Sequence, residues 1–281
     1  MTLPIYEVEQ SFQAALGRGS RIIIEAPTGS GKSTQAPQMA MGCLPSDKQI
    51  VVLQPRRIAA RMLAQRVAWE RGGTVGDEIG YQVRFERVAG PATRIRYVTE
   101  GVLLRELVRD PELRGIGAVF FDEFHERHLF GDVMLALLLN VQQKRPDLTL
   151  VVMSATLDGR LLADYLDPCS LISSQGRLFD VERIYLPKPV DFRKESVADL
   201  AAEVVAGNLK RTPGHVLVFM PGSYEIGRTI RALQGHPELK GCEILPLHGD
   251  LTASQQDQTV SPSEKRRIIV ATNVAETSIT I

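Results

Sequence analysis

The stretch Arg21-Ile-Ile-Ile-Glu-Ala-Pro-Thr-Gly-Ser-Gly-Lys-Ser-Thr34 decides the fold of this chain. Ile22, Ile23 and Ile24 are β-branched and read as a strand. Gln35 onward, with Ala36, Met39 and Ala40, reads as a helix. Between them, Ala26 to Ser33 fits a phosphate-binding loop, with Ala in place of the first Gly. Gly29 and Gly31 let the backbone curl so that its N–H groups face inward. The N-terminus of the following helix adds partial positive charge, so phosphate oxygens bind there. Gly29, Ser30, Gly31, Lys32, Ser33 and Thr34 are therefore the expected triphosphate site. Lys32 can reach the β- and γ-phosphates, and the Ser33 hydroxyl can hold Mg²⁺.

A second stretch, Ala118-Val-Phe-Phe-Asp-Glu-Phe-His125, supplies the acids. Its apolar run reads as a buried strand, which puts Asp122 and Glu123 at the carboxyl end. Ligands bind at that end of open parallel α/β sheets. Two acids at the rim of a dry sheet are costly unless they meet a cation or do chemistry. Asp122 is the natural Mg²⁺ partner. Glu123 is the natural base to orient and deprotonate an attacking water. Ser33, Asp122 and Glu123 are thus the expected metal-side residues.

At 281 residues the chain can build two domains with proper cores. Apolar content of 44% and charged content of 23% are those of a soluble globular protein. No apolar run approaches the length of a membrane span, which argues against a membrane partner. The N-terminus lacks the basic and apolar regions of a signal peptide. Cys43, Cys169 and Cys242 show no paired spacing, which argues against a zinc site or a disulfide framework. They fit a reducing, cytoplasmic setting. Net charge is zero, so charge alone neither supports nor excludes a nucleic-acid partner. Between Gln54 and Arg109, however, eleven Arg face only six acidic residues.

Periodicity predicts an α/β chain. Expected strands are Arg21–Ala26, Ile50–Gln54, Ile95–Thr99, Ala118–Phe121 and Leu148–Met153. Expected helices are Pro4–Leu16, Lys32–Met41, Arg57–Arg71, Gly101–Arg109, Leu129–Gln143 and Gly159–Tyr165. Such alternation means a parallel sheet covered on both faces. The pattern pauses at Ser173-Ser-Gln-Gly176, and a second series follows. Its strands are expected at Val181–Tyr185, His215–Phe219, Glu243–Leu245 and Arg267–Ala271. Its helices are expected at Ser196–Lys210, Ser223–Leu233 and Ala253–Gln258. The domains are therefore expected at 1–174 and 175–281.

Further motifs follow in a fixed order. They are Gln54-Pro-Arg-Arg57, Gly80-Tyr-Gln-Val-Arg-Phe-Glu86, Thr99-Glu-Gly101, Asp122-Glu-Phe-His125 and Ser154-Ala-Thr156. Phe219-Met-Pro-Gly222, Leu247-His-Gly249 and Ala271-Thr-Asn-Val-Ala-Glu-Thr-Ser-Ile-Thr280 complete the series. From about Gln10 to Ile281 the chain resembles DEAH-box superfamily 2 helicases, in particular a bacterial HrpB-like branch with Phe at position 124.

The resemblance implies two tandem RecA-like parallel-sheet domains, the second incomplete, with ATP and a single nucleic-acid strand bound across their faces. It implies that His125, with Ser154 and Thr156, couples nucleotide state to strand movement. It places Arg56, Arg57, Thr99, Gly101, His248, Thr272 and Asn273 along the nucleic-acid track. It places the adenine on Arg66. Arg56 and Arg57 also read as solvated cap residues, and Arg66 as an exposed helix Arg. Contacts of this kind grip phosphates without reading sequence.

Relatives continue past the position of Ile281 into an arginine-rich segment that supplies fingers to the γ-phosphate, worth about 10³–10⁵ in rate. The 281-residue chain is therefore expected to bind nucleotide, hydrolyse it poorly and not unwind. Near Val260, relatives often carry an aromatic adenine lid, so a loose preference among nucleoside triphosphates is expected. An RNA-directed helicase leads the functional readings. A DNA translocase and a non-catalytic, nucleotide-gated RNA-binding module remain alternatives. A metabolic P-loop kinase would need a second substrate pocket, of which the sequence gives no sign.

Overall fold

The structure, a computed structural model, describes residues 3–18, 20–155, 159–176, 181–191, 194–211, 213–261 and 263–276. After a 3₁₀ turn at Pro4–Val8, the elements in chain order begin with α1 (Glu9–Leu16), β1 (Arg21–Glu25), α2 (Lys32–Met41), β2 (Gln49–Gln54) and α3 (Arg57–Glu70). Next come β3 (Ile79–Val83), β4 (Glu86–Val88), β5 (Ile95–Thr99), α4 (Glu100–Arg109) and β6 (Ile116–Phe121). A 3₁₀ turn at Phe124–Glu126 leads to α5 (Leu129–Lys144), β7 (Thr149–Ser154), α6 (Gly159–Leu166) and β8 (Ser170–Ser173). The second series is α7 (Val197–Asn208), β9 (Val216–Phe219), α8 (Ser223–Gly235), β10 (Glu243–Leu247), α9 (Ala253–Val260) and β11 (Arg267–Ala271). The chain separates into two compact units, Met1–Phe179 and Asp180–Ile281.

In the first unit the strands form one sheet in the order β4-β3-β5-β2-β6-β7-β1-β8. Every pairing is parallel except the β3–β4 hairpin at one edge. The two faces divide the apolar residues by strand alternation. Ile22, Ile24, Val52, Phe120 and Val151 join one core with Phe12, Ala36 and Ala64. Ile23, Val51, Val119, Phe121 and Val152 join the other with Leu103, Leu135 and Leu138. Burial on both faces explains why these strands read as unbroken apolar runs. Each fully buried Ile or Phe side chain contributes roughly 1.5–3 kcal/mol.

The second unit has a parallel sheet in the order β10-β11-β9. Its core gathers Ile268 and Val270 of β11 with Ala202, Val205, Ile226 and Leu233 of the flanking helices. Thr252 begins α9 with a capping box. Its hydroxyl accepts from Gln255 N, and the Gln255 side chain accepts from Thr252 N.

Three expectations need correction. The predicted helix at Pro4–Leu16 is a 3₁₀ turn followed by a shorter α-helix. The predicted strand at Val181–Tyr185 is irregular, with Val181, Ile184 and Tyr185 exposed. β-branched residues favour a strand only where a neighbouring ladder and a core face receive them. Conversely, β3, β4 and β8 were not foreseen. β4 is three residues long, and β8 is a short edge strand with mixed burial.

Candidate active site

The sheet brings the motif residues of the first unit to one rim. The phosphate loop follows β1, the Gln54 motif ends β2, Thr99 ends β5, Asp122 follows β6 and Ser154 ends β7. All five of these strands run parallel, so these positions share the carboxyl edge.

Gly29 and Gly31 have φ of 79° and 92°, in the left-handed region that a side chain resists. Gly31 also stands where a Cβ would come within 2.8 Å of Leu3 Cδ1. Among the described residues no side chain caps the N-terminus of α2, which suits it to an anion. Ser30 is buried with its Oγ lacking a hydrogen-bond partner. Ala26 N donates to Ser154 O at 3.0 Å, which ties the loop to the end of β7. The buried Tyr97 hydroxyl donates to Ser33 O at 3.0 Å. Burial first, and then the charge of Asp122, raise the Tyr97 pKa well above the usual phenol value, so it stays a donor.

Lys32 is only 3% exposed, and its Nζ lies 3.7 Å from Glu123 Oε1. A buried ammonium with one loose carboxylate partner has room for further oxygen ligands. Asp122 is fixed at both oxygens. Gln54 Nε2 donates to Oδ2 at 2.6 Å, and Glu123 N donates to Oδ1 at 3.0 Å. Glu123 has φ 51° and ψ 35°, a left-handed conformation that turns its side chain back toward Lys32. Burial, then the Asp122 charge, push its pKa up to about 7, with Lys32 opposing. Its Oε2 is buried without a hydrogen bond and faces His125 Nε2 at 3.4 Å. His125 Nδ1 accepts from Ala155 N at 3.2 Å, which places the ring proton on Nε2, toward Glu123. Burial, then Lys32, lower the His125 pKa, so the ring is neutral.

Two buried carboxylates, a buried ammonium, an orphaned serine hydroxyl and a left-handed glycine loop fit a nucleoside triphosphate with Mg²⁺. Ser33 and Asp122 would hold the metal, with Glu123 beside it.

On the adenine side, Arg66 is exposed and anchored. Its Nε donates to Glu70 Oε1 at 2.7 Å, and its guanidinium lies 4.8 Å from the centre of the Trp69 ring. Glu70 Oε2 also accepts from Gln35 and Gln38, and Gln35 accepts from Tyr6. Of the track residues, Arg57 and Gly101 are exposed, and Thr99 and Arg56 are half-buried. Arg56 Nη1 lies 3.0 Å from Glu126 Oε1.

In the second unit, Thr272 N donates to Leu247 O at 3.1 Å, and His248 O accepts from Gln256 Nε2. The ends of β10 and β11 therefore bring His248, Thr272 and the exposed Asn273 together. Thr156 lies outside the described residues.

Gln54, Tyr97, Glu70 and Glu126 were missed as site residues. Gln54 and Glu126 adjoin recognised motifs, but their partners are fixed only by the neighbouring of β2 with β6 and by the turn after it.

Residues 7–164 match the DEAD/DEAH box helicase family, and residues 195–281 match the helicase conserved C-terminal domain. The chain belongs to the DEAD/DEAH box helicase family. It is 42% identical, over its whole length, to 34% of the ATP-dependent RNA helicase HrpB of Escherichia coli. It is 36% identical over 99% of its length to 34% of the ATP-dependent RNA helicase HrpA of Borreliella burgdorferi. The probable ATP-dependent RNA helicase DHR2 of Saccharomyces cerevisiae is 36% identical, with all of this chain and 40% of that protein covered. The crystal structure of the E. coli DEAH/RHA helicase HrpB superposes with a TM-score of 0.89 at 42% identity, over 99% of this chain and 36% of that one. The chain thus spans between about a third and two-fifths of the length of these curated relatives.

Proposed function

We propose that this chain carries the ATP-hydrolysing motor of an RNA helicase, with residues 1–174 and 175–281 as its two RecA-like domains. The observation that carries the reading is the line from Lys32 through Glu123 and His125 to Ala155. Mg²⁺, when bound, would neutralise charge on the phosphate oxygens. Lys32 and the α2 N-terminus bind the triphosphate. Glu123 Oε2 accepts the proton of the attacking water, and its raised pKa suits a base near neutral pH. His125 points Nε2–H toward that carboxylate, 3.4 Å away, and, through Nδ1, contacts the end of β7.

Arg56, Arg57, Thr99 and Gly101 in the first domain, and His248, Thr272 and Asn273 in the second, are each proposed to contact a nucleic-acid strand. Ser154 and, by its place in the motif, Thr156 couple nucleotide state to strand movement; Ser154 O accepts from Ala26 N of the phosphate loop, and Ala155 N donates to His125. The adenine lies against Arg66, positioned by Glu70. Among the described residues, no helix is long and apolar enough to cross a membrane. The three thiols are free, in keeping with a reducing cytoplasm.

The test is ATP hydrolysis by the chain and by Glu123→Gln, with and without single-stranded RNA or DNA of equal length. RNA-raised turnover that falls about 10²–10⁴-fold in the variant supports the reading. Nucleotide binding without turnover is the behaviour expected of the chain without its arginine segment, and nucleotide binding whose affinity neither RNA nor DNA changes sinks the reading. Equal stimulation by DNA removes the RNA preference.

A further inference from the structure

We propose that Glu126 is a positioning residue, which holds Arg56 until a strand phosphate takes the guanidinium over. The inference rests on the proposed RNA-directed function. Arg56 stands at the N-cap of α3, directly after β2. Its Nη1 lies 3.0 Å from Glu126 Oε1, and the two side chains are only 15% and 13% exposed. A pair this dry is not the weak, screened contact of an open surface. Glu126 is also engaged on its other side, where Oε2 lies 3.0 Å from His128 Nε2.

The segment that carries Glu126 is strained. The 3₁₀ turn Phe124–Glu126 lies between Glu123 at φ 51° and Arg127 at φ 47°. Two non-glycine residues in the left-handed region disfavour the turn, so outside contacts must hold it. Ala155 N holds its centre through His125, while Arg56 and His128 hold its end through Glu126. The same short segment begins with the base, Glu123.

A strand phosphate is the natural competitor for Arg56. The planar guanidinium fork matches a phosphate as well as a carboxylate. Once the phosphate draws Arg56 away, one of these clamps on the strained turn is released. Strand binding is thereby felt at Glu123 with no direct contact between nucleic acid and base. Glu126 thus weakens strand binding in the resting chain and links occupancy of the track to the acid turn.

The experiment measures binding of a fluorescent oligouridylate by anisotropy, without nucleotide, for the wild-type chain, Glu126→Gln, Arg56→Gln and the double variant. Melting curves check folding. Glu126→Gln should bind about three- to tenfold tighter, because the Glu126 carboxylate no longer competes with phosphate for Arg56. In the Arg56→Gln background the same change should have no effect. An unchanged affinity in Glu126→Gln overturns the inference. So does an equal gain in both backgrounds, which would mark a general charge effect. If Glu126→Gln fails to fold, Glu126→Asp, whose shorter arm loosens the pair, should give a smaller gain in the same direction. No gain there also overturns the inference. Failure of the wild-type chain to bind any single strand would instead remove the proposed function, and this inference with it.

Discussion

His125 Nδ1 accepts a hydrogen bond from the backbone N–H of Ala155 at 3.2 Å. One ring thereby joins the acid turn after β6 to the end of β7, two strands that are sheet neighbours. The lowered pKa of His125 keeps Nδ1 an acceptor at neutral pH. His125→Ala removes the ring and both contacts. Nucleic-acid stimulation of ATP hydrolysis should fall about tenfold, within the 0.5–2 kcal/mol range of coupling changes. Nucleotide binding should change little. Turnover with and without RNA measures the first, and titration with a fluorescent nucleotide the second. Full stimulation in the variant would exclude His125 as the link.

Glu123 makes the nucleotide-free chain less stable as pH rises. Its pKa goes from an ordinary 4.5 to about 7 on folding, chiefly through burial. The folded chain therefore binds this proton more tightly than the unfolded chain. Its contribution to stability is full below about pH 4.5 and is lost as pH rises through about 7. Glu123→Gln removes the charge that burial penalises. The variant should be more stable than wild type at pH 8 by about 2–3 kcal/mol, or several degrees in melting temperature. The gap should close near pH 5. Melting curves at the two pH values decide the matter, and a gap that does not change with pH would contradict the account.

The two loop glycines should respond unequally to alanine. At Gly29, φ is 79° but the added Cβ meets nothing within 4 Å. At Gly31, φ is 92° and the Cβ meets Leu3 Cδ1 at 2.8 Å and Ile5 Cγ2 at 3.3 Å. Gly29→Ala should cost about 1 kcal/mol from backbone strain alone, and Gly31→Ala about 2–3 kcal/mol. Nucleotide affinity should drop more for Gly31→Ala, because it sits at the N-cap of α2. Chemical denaturation and nucleotide titration compare the two. Equal losses would mean that the Leu3 contact yields freely.

The β3–β4 edge depends on a buried arginine. Arg96 of β5 is 6% exposed and is held by both Glu106 oxygens, at 2.6 and 2.7 Å, and by Gln82 of β3. Glu106→Ala leaves the guanidinium buried without its counter-charge and should cost about 3 kcal/mol. Replacing Arg96 and Glu106 together by Met and Leu should cost much less. Denaturant melts of the single and double variants test this. A double variant as unstable as the single one would show that the loss is packing, not charge.

Much of the first unit was legible because each core strand is buried on both faces. Ile22–Ile24 and Val119–Phe121 announce themselves as apolar runs, and the loop after β1 carries its chemistry in consecutive residues. The second unit was less legible. Val181–Tyr185 has strand-forming residues, yet no ladder receives it among the described residues. Likewise, β3 and β4 are short and lie at an edge, where local pattern is weak and the neighbouring hydrogen bonds decide.

The sequence by itself determined the parallel α/β class, the phosphate loop, the acids and the order of the motifs. These depend on residues close together in the chain, where strand period, glycine conformation and helix N-terminus act locally. Only the tertiary structure decided that Gln54 holds Asp122, that Ala155 holds His125, and that Glu126 holds Arg56. Those partners come from different strands, and they meet because the order β2-β6-β7 sets their carboxyl ends side by side. It also decided the raised pKa of Glu123, since burial and neighbouring charge exist only once the sheet has closed over the site.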